Sequence, residues 1–140
     1  MSGRFFLDTN IFVYTFDRNV RTKAIKAVNL IRKAADTGEG VVSYQVVQEF
    51  FNVAFRRFSP AMTVAEAEQY LITVFRPLLA MHSSPALYLS ALRIKATYRI
   101  GWYDSLIVAA ALEANCAILY TEDLQDGSEI ETLRIQNPFR

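Results

Sequence analysis

Short apolar runs alternate with helical patterns along the whole chain. Arg4 to Leu7 reads as a buried strand ending at Asp8. Ile11 to Phe16 is apolar and fits the loop and first helix that follow. Thr22 is placed to cap a helix with Ala24, Val28, Ile31 and Ala35 on its inner face. Gly38 closes that helix, and Gly40-Val41-Val42 opens a second strand. Ser43 then caps a very apolar helix running to about Phe58, broken by Ser59-Pro60. Thr63 and Glu66 form a capping box, with Val64, Ala67, Leu71 and Val74 as the expected inner stripe. Leu78 to Met81 is a third strand. Ser84-Pro85 starts a helix to about Tyr98, and Gly101 separates it from the next, which begins near Trp102. Cys116 to Tyr120 is a fourth strand, and Leu133 to Ile135 a fifth. Thr121 to Glu131 is the main polar loop.

Continuous apolar strands joined by helices predict an α/β fold, with a parallel sheet covered on both faces. The chain has 140 residues, enough for a single domain over 1–140 with a sizeable core. A composition of 52% hydrophobic and 21% charged residues excludes a disordered chain. No apolar run is long enough to cross a bilayer, so no membrane association is expected. No secretory h-region is visible, and Cys116 is the only cysteine. These features predict a cytoplasmic protein. The net charge of +1 neither favours nor excludes nucleic acid, because clustered acids and bound cations would mask basic residues in the sum.

Four acids stand out against this pattern. Asp8 and Asp123 each follow an apolar strand directly. Glu49 is the only acid between Gly40 and Ala65, and Asp104 opens the apolar stretch Ser105 to Leu112. Helical spacing puts Asp104 on the face of Ile107, Val108 and Ala111. It puts Glu49 on that of Val46 and Val53, with Gln45 and Asn52 beside it. Carboxylates are seldom buried unless paired or metal-bound. In open α/β sheets, sites form beyond the carboxyl ends of the strands, a rim that all four acids can reach. Crowded carboxylates repel, and a hard divalent cation removes the conflict. Two such ions, about 3.5–4 Å apart, orient a water and stabilise a leaving oxygen in phosphodiester hydrolysis. Each acid also has a plainer reading. Asp8 fits a cap, Asp104 a helix-dipole acid, Glu49 a partner of Arg56, and Asp123 and Asp126 turn residues.

Asp8-Thr9-Asn10, Ser43-x-Gln45-x-x-x-Glu49, Tyr103-Asp104-Ser105-Leu106-Ile107-Val108 and Thr121-Glu122-Asp123-Leu124-Gln125-Asp126-Gly127 together resemble the PIN domain. The last two blocks, with Asn137-Pro138-Phe139, look most like VapC-type toxins of bacterial toxin–antitoxin pairs. The resemblance covers nearly the whole chain in order. It implies a three-layer α/β/α fold with a central parallel sheet of about four to five strands. It also implies a Mg²⁺-dependent endoribonuclease (Mn²⁺ is equally suited) that hydrolyses RNA with a metal-activated water. The partners implied are an RNA substrate, a small VapB-like antitoxin and a second copy in a homodimer. As metal ligands or ligand-orienting groups it implies Asp8, Glu49, Asp104 and Asp123, with Asn10 and Thr121 steadying the site. Asp126 is a second candidate for the fourth acid, and Asp123 is preferred as nearer the strand end.

Among the remaining side chains, His82 reads as structural or exposed and Cys116 as core. Trp102 and Tyr103 read as packing between helices, with base stacking the alternative. Phe50, Phe51, Phe55 and Phe58 read as core, with a dimer seam or antitoxin groove also open. A PIN nuclease that processes RNA without acting as a toxin fits the same residues. Loss of an acid would favour a scaffold that binds RNA or protein, and none is lost. A receiver-like signalling domain fits poorly: it needs a second acid after strand one and a lysine after strand five, and no lysine follows Lys95.

Overall fold

The computed structural model describes residues 3–140. Six strands form one sheet: β1 (Phe5–Leu7), β2 (Gly40–Ser43), β3 (Leu79–Met81), β4 (Ile118–Tyr120), β5 (Glu129–Ile130) and β6 (Leu133–Gln136). Their order across the sheet is β3-β2-β1-β4-β6-β5. All neighbours are parallel except β5 and β6. The helices are α1 (Thr9–Tyr14), α2 (Arg21–Thr37), α3 (Tyr44–Arg56), α4 (Val64–Tyr70), α5 (Pro85–Tyr98) and α6 (Trp102–Glu113). A π-helical turn, Leu71–Phe75, continues α4.

The chain leaves β1 towards β2 and then β3, carrying α1 to α4 over one face. It then returns across the sheet to β4, carrying α5 and α6. Right-handed crossovers in opposite directions put these two groups of helices on opposite faces. Packing agrees: α2 and α3 lie on β2, while α6 lies across β2, β4 and β6. The fold is the expected α/β class with a mostly parallel sheet. The sheet has six strands, however, rather than four to five. The extra strand is β5, two residues at the end of the polar loop and too short to show a period. It pairs back on β6 through a tight turn in which Glu131 takes φ 54°.

The buried face of α2 is rotated from the expected stripe. Ala27 and Ala34 are buried, Ala24 and Ile31 half-buried, and Val28 and Ala35 exposed. Small side chains face the sheet here because the approach is close. A Cβ on Gly40 would fall 2.0 Å from the Ala34 Cβ. Thr22 is not the cap, since Val20 holds that position without a side-chain bond. Ser43 occupies the N-cap of α3, but its buried hydroxyl makes no cap bond. The capping box and the serine cap further on are as expected. Thr63 and Glu66 bond reciprocally, and the Ser84 hydroxyl accepts from the Leu87 N–H at 3.1 Å. Val64 and Leu71, expected inside, are exposed. The π-helical turn shifts the register and buries Phe75 instead.

The phenylalanines of α3 are chiefly core. Phe50 is fully buried and stacks on Tyr70 at 4.8 Å, with Phe75 edge-on at 5.3 Å. Phe55 alone of the four is exposed, at 43%. Cys116 is buried and His82 exposed. Among the described residues, no helix is long and apolar enough to cross a membrane.

Candidate functional site

The order in which strands are added reverses between the parallel neighbours β1 and β4, because β1 leads to one side of the sheet and β4 to the other. A crevice at the carboxyl ends of such strands is the standard place for a ligand in this architecture. The structure has a cavity there of about 300 Å³, lined by Asp8, Glu49, Asp104 and Asp123. Asn10 also lines it; Asp126 and Thr121 do not.

Each acid arrives by a different local route. Asp8 is carried by the end of β1, where its N–H donates to the Tyr120 carbonyl at 3.1 Å and extends the ladder to β4. It is buried, and it does cap α1: Oδ1 accepts from the Thr9 N–H at 2.7 Å. That role leaves Oδ2, which accepts from the Thr121 hydroxyl at 2.7 Å. The same Thr121 Oγ1 accepts from the Asp123 N–H at 3.1 Å, tying the ends of β1 and β4 together. Glu49 sits on the inner face of α3. It does not meet Arg56; its carboxylate accepts from the Thr9 hydroxyl at 2.7 Å and from Gln45 Nε2 at 3.3 Å. Gln45 also donates to the Tyr103 carbonyl at 3.3 Å, which links α3 to the first turn of α6. Asp104 lies in that turn and is half-buried. Asp126 is spent elsewhere, accepting from the Asn137 N–H at 2.8 Å.

The electrostatics are one-sided. No Lys, Arg or His lines the cavity, and neither ion pair found among the described residues involves the four acids. Burial pushes Asp8 up to about 7, against the two hydrogen bonds from Thr121 and Thr9 and with smaller repulsion from Asp123 and Glu49. Asp104 is raised by burial, then by Asp123 and Glu49. Asp123 is raised by burial, then by Glu122 and Glu49, and pulled back by a hydrogen bond with Asp8. The four acids therefore feel one another. Among the described residues, no three acid, histidine or cysteine side chains are gathered closely enough to enclose a cation unaided. An open, all-oxygen wall of this kind fits Mg²⁺, which takes one or two carboxylates directly and keeps several waters.

Several side chains at the site carried little signal in the sequence. Thr9 and Gln45 are buried polar groups whose role is to bond Glu49. Gln45 is legible as a neighbour of Glu49, one helical turn before it, but its bond to the carboxylate is not. Thr9 has no such periodicity. Trp102 is half-buried and stacked with Tyr88 at 6.4 Å, as a packing residue should be. Tyr103 is not: it is 66% exposed at the mouth of the cavity.

The model of the PIN domain family matches residues 5–125, a span that holds all four cavity acids and ends just before Asp126. No curated protein matches the chain. Among solved structures, the chain is similar to Mycobacterium tuberculosis VapC20, described as a Sarcin-Ricin loop cleaving toxin. That match has TM-score 0.64 and 16% identity, covering 85% of this chain and 89% of that one. It is similar to VapBC2 from Rickettsia felis bound to a promoter DNA fragment, with TM-score 0.63, 20% identity and coverage of 95% and 97%. It is also similar to FitAB bound to the IR36 DNA fragment, with TM-score 0.72, 16% identity and coverage of 97% and 96%. At these identities the likeness is one of fold. The family match spans most of the chain, and the protein belongs to the PIN domain family.

Proposed function

We propose that this protein is a metal-dependent endoribonuclease and the toxin of a toxin–antitoxin pair. The observation that carries the reading is the cavity itself: four carboxylates from four separate elements, meeting at the switch point of the sheet with no cation in the wall. Asp8, Glu49, Asp104 and Asp123 are the residues to hold Mg²⁺ or Mn²⁺. A divalent cation bound there supplies a water of lowered pKa and neutralises charge on the phosphate.

The chain's own residues do the rest. Thr121 and the Thr9 N–H fix both oxygens of Asp8, so that carboxylate presents a set direction. Thr9 and Gln45 do the same for Glu49. Asn10 offers a further polar group at the wall. Without a counter-ion, these acids would repel an RNA phosphate. Binding of substrate and of cation are therefore expected to depend on one another.

The partners follow from the same reading. An apolar groove of about 290 Å³ runs between α2 and the π-helical turn, lined by Val28, Ile31, Tyr70 and Val74. It offers an antitoxin segment somewhere to seat apolar side chains. On α5, Leu89 and Leu92 are 69% and 52% exposed, a surface that a second copy would cover in a homodimer. The cytoplasm is the compartment in which RNA and antitoxin are both met.

The test is purified protein incubated with a mixed RNA pool, with and without Mg²⁺. Cleavage only with the cation is expected, leaving 5′ phosphates and 3′ hydroxyls because water attacks rather than the 2′-OH. Products ending in 2′,3′-cyclic phosphate, or cleavage that persists in a chelator, would overturn the reading. Arrest of bacterial growth by the chain alone, relieved by a small neighbouring antitoxin gene, separates the toxin from an RNA-processing nuclease of the same family.

A further inference from the structure

The segment that carries Asp123 is held from two sides. Towards the sheet, Thr121 bonds both Asp8 and the Asp123 N–H. Away from it, Glu122 turns to α1 and α2. Its carboxylate accepts from the Tyr14 hydroxyl and pairs with Lys23 Nζ at 3.2 Å. Lys23 also donates to the Tyr14 hydroxyl at 3.2 Å and lies 4.6 Å from the centre of the Tyr14 ring. Phe139 meets that ring edge-on at 5.0 Å. None of these side chains lines the cavity.

Asp123 is more exposed than Asp8, and beyond its bond with Asp8 little packing fixes its direction. Its backbone must do so instead. Glu122 shares a peptide bond with Asp123, and the two side chains leave the chain in different directions, one to Tyr14 and Lys23, the other to the cavity. Immobilising Glu122 therefore sets the backbone from which Asp123 projects. A closed trio of one ion pair and two hydroxyl bonds is more structure than a solvated glutamate requires, since an exposed pair contributes little to stability.

We propose that Tyr14, Lys23 and Glu122 are positioning residues for Asp123, holding its carboxylate in the direction from which it meets the cation. This rests on the metal site proposed above. Groups that orient a metal ligand typically change affinity about 10- to 100-fold when removed.

The test is Mn²⁺ binding to the purified full-length chain, followed by electron paramagnetic resonance without RNA. Two variants separate position from charge. Tyr14→Phe keeps every charge and the ring packing but frees Glu122 from its hydroxyl donor. Glu122→Gln removes the charge beside Asp123 and one of the two carboxylate oxygens that Tyr14 and Lys23 use. Positioning predicts that Tyr14→Phe, with every charge kept, weakens Mn²⁺ binding about tenfold and that Glu122→Gln weakens it at least as much, whereas an effect of charge alone leaves Tyr14→Phe at the parent's affinity. Melting temperatures check that both are folded; if Tyr14→Phe is not, Lys23→Met takes its place with the same expected loss. Parent-like binding by Tyr14→Phe overturns the proposal, and a loss confined to Glu122→Gln assigns the effect to charge. A parent chain that binds no Mn²⁺ is a different failure, that of the metal site itself.

Discussion

The two walls of the cavity hold their acids in different ways. On one, Asp8 and Glu49 are enclosed in a hydrogen-bonded lattice made by Thr9, Thr121 and Gln45. On the other, Asp104 is half-buried and Asp123 exposed, and among the described residues no protein donor reaches the Asp104 carboxylate. A buried acid must be bonded or neutralised, because leaving it bare costs several kcal/mol. Half-buried Glu49 is bonded because two buried polar groups, Thr9 and Gln45, face it, whereas Asp104 and Asp123 have no such neighbours and keep water. The difference teaches that the first wall belongs to the architecture as well as to the chemistry, while the second belongs to the chemistry alone. Substitutions in the first should change stability and cleavage together. Those in the second should lower cleavage without lowering stability.

The largest effect is expected at Asp104. Asp104→Asn should lower RNA cleavage on the order of a thousandfold, by losing several kcal/mol of cation-mediated stabilisation. Its melting temperature, measured by circular dichroism in chelator, should equal or exceed the parent's, because burial and repulsion from Asp123 and Glu49 already disfavour the charged carboxyl. A large drop in melting would mean that the second wall is structural too.

Asp8→Asn should also abolish cleavage, yet stabilise the metal-free protein. Burial raises the Asp8 carboxyl from 3.8 to about 7, so the fold favours its protonated form. Below the unfolded value both states hold the proton and no penalty arises. Between the two values the folded state alone holds it, so stability falls as pH rises, and above about 7 the loss is complete. Asparagine removes this dependence. The gain should be greatest at pH 8, up to about 4 kcal/mol, and small near pH 4. Urea denaturation at the two pH values in chelator checks it. A gain that grows towards acid pH contradicts the assignment.

Thr121→Val removes the donor to Asp8 and the acceptor for the Asp123 N–H, and so loosens both walls at once. Metal affinity should fall about 10- to 100-fold, read by calorimetric titration. The smallest effect is expected at Asp126, which bonds only the Asn137 N–H outside the cavity. Asp126→Ala should leave cleavage unchanged and cost less than about 1 kcal/mol in denaturation. Loss of cleavage there would move the fourth acid from Asp123 to Asp126.

How much of this was legible in the sequence depended on whether a signal repeats along the chain. The parallel sheet was readable because β1, β2 and β4 are continuous apolar runs bounded by turns. β5 was not, because two residues carry no period. The placement of Glu49 and Asp104 followed from helical spacing, which puts an acid on an apolar stripe. The inner face of α2 departs from its apolar periodicity because Ala27 and Ala34 are buried there in place of the larger Val28 and Ile31. A Gly40–Ala34 contact requires small side chains instead, and that is a fact of two elements together. The Thr9–Glu49 bond spans forty residues and the Thr121–Asp8 bond more than a hundred, so neither leaves a local pattern. Exposure of Tyr103 was equally hidden, since an aromatic next to Trp102 looks like packing until the helix is docked.

The most direct measurement is a crystal structure of the full chain grown with Mn²⁺, with an anomalous difference map at the manganese edge. The account predicts at least one peak inside the cavity, within ligating distance of Asp8 and at least one of Glu49, Asp104 and Asp123. A map with no peak there at millimolar Mn²⁺, or with peaks only on acids outside the cavity, would contradict it.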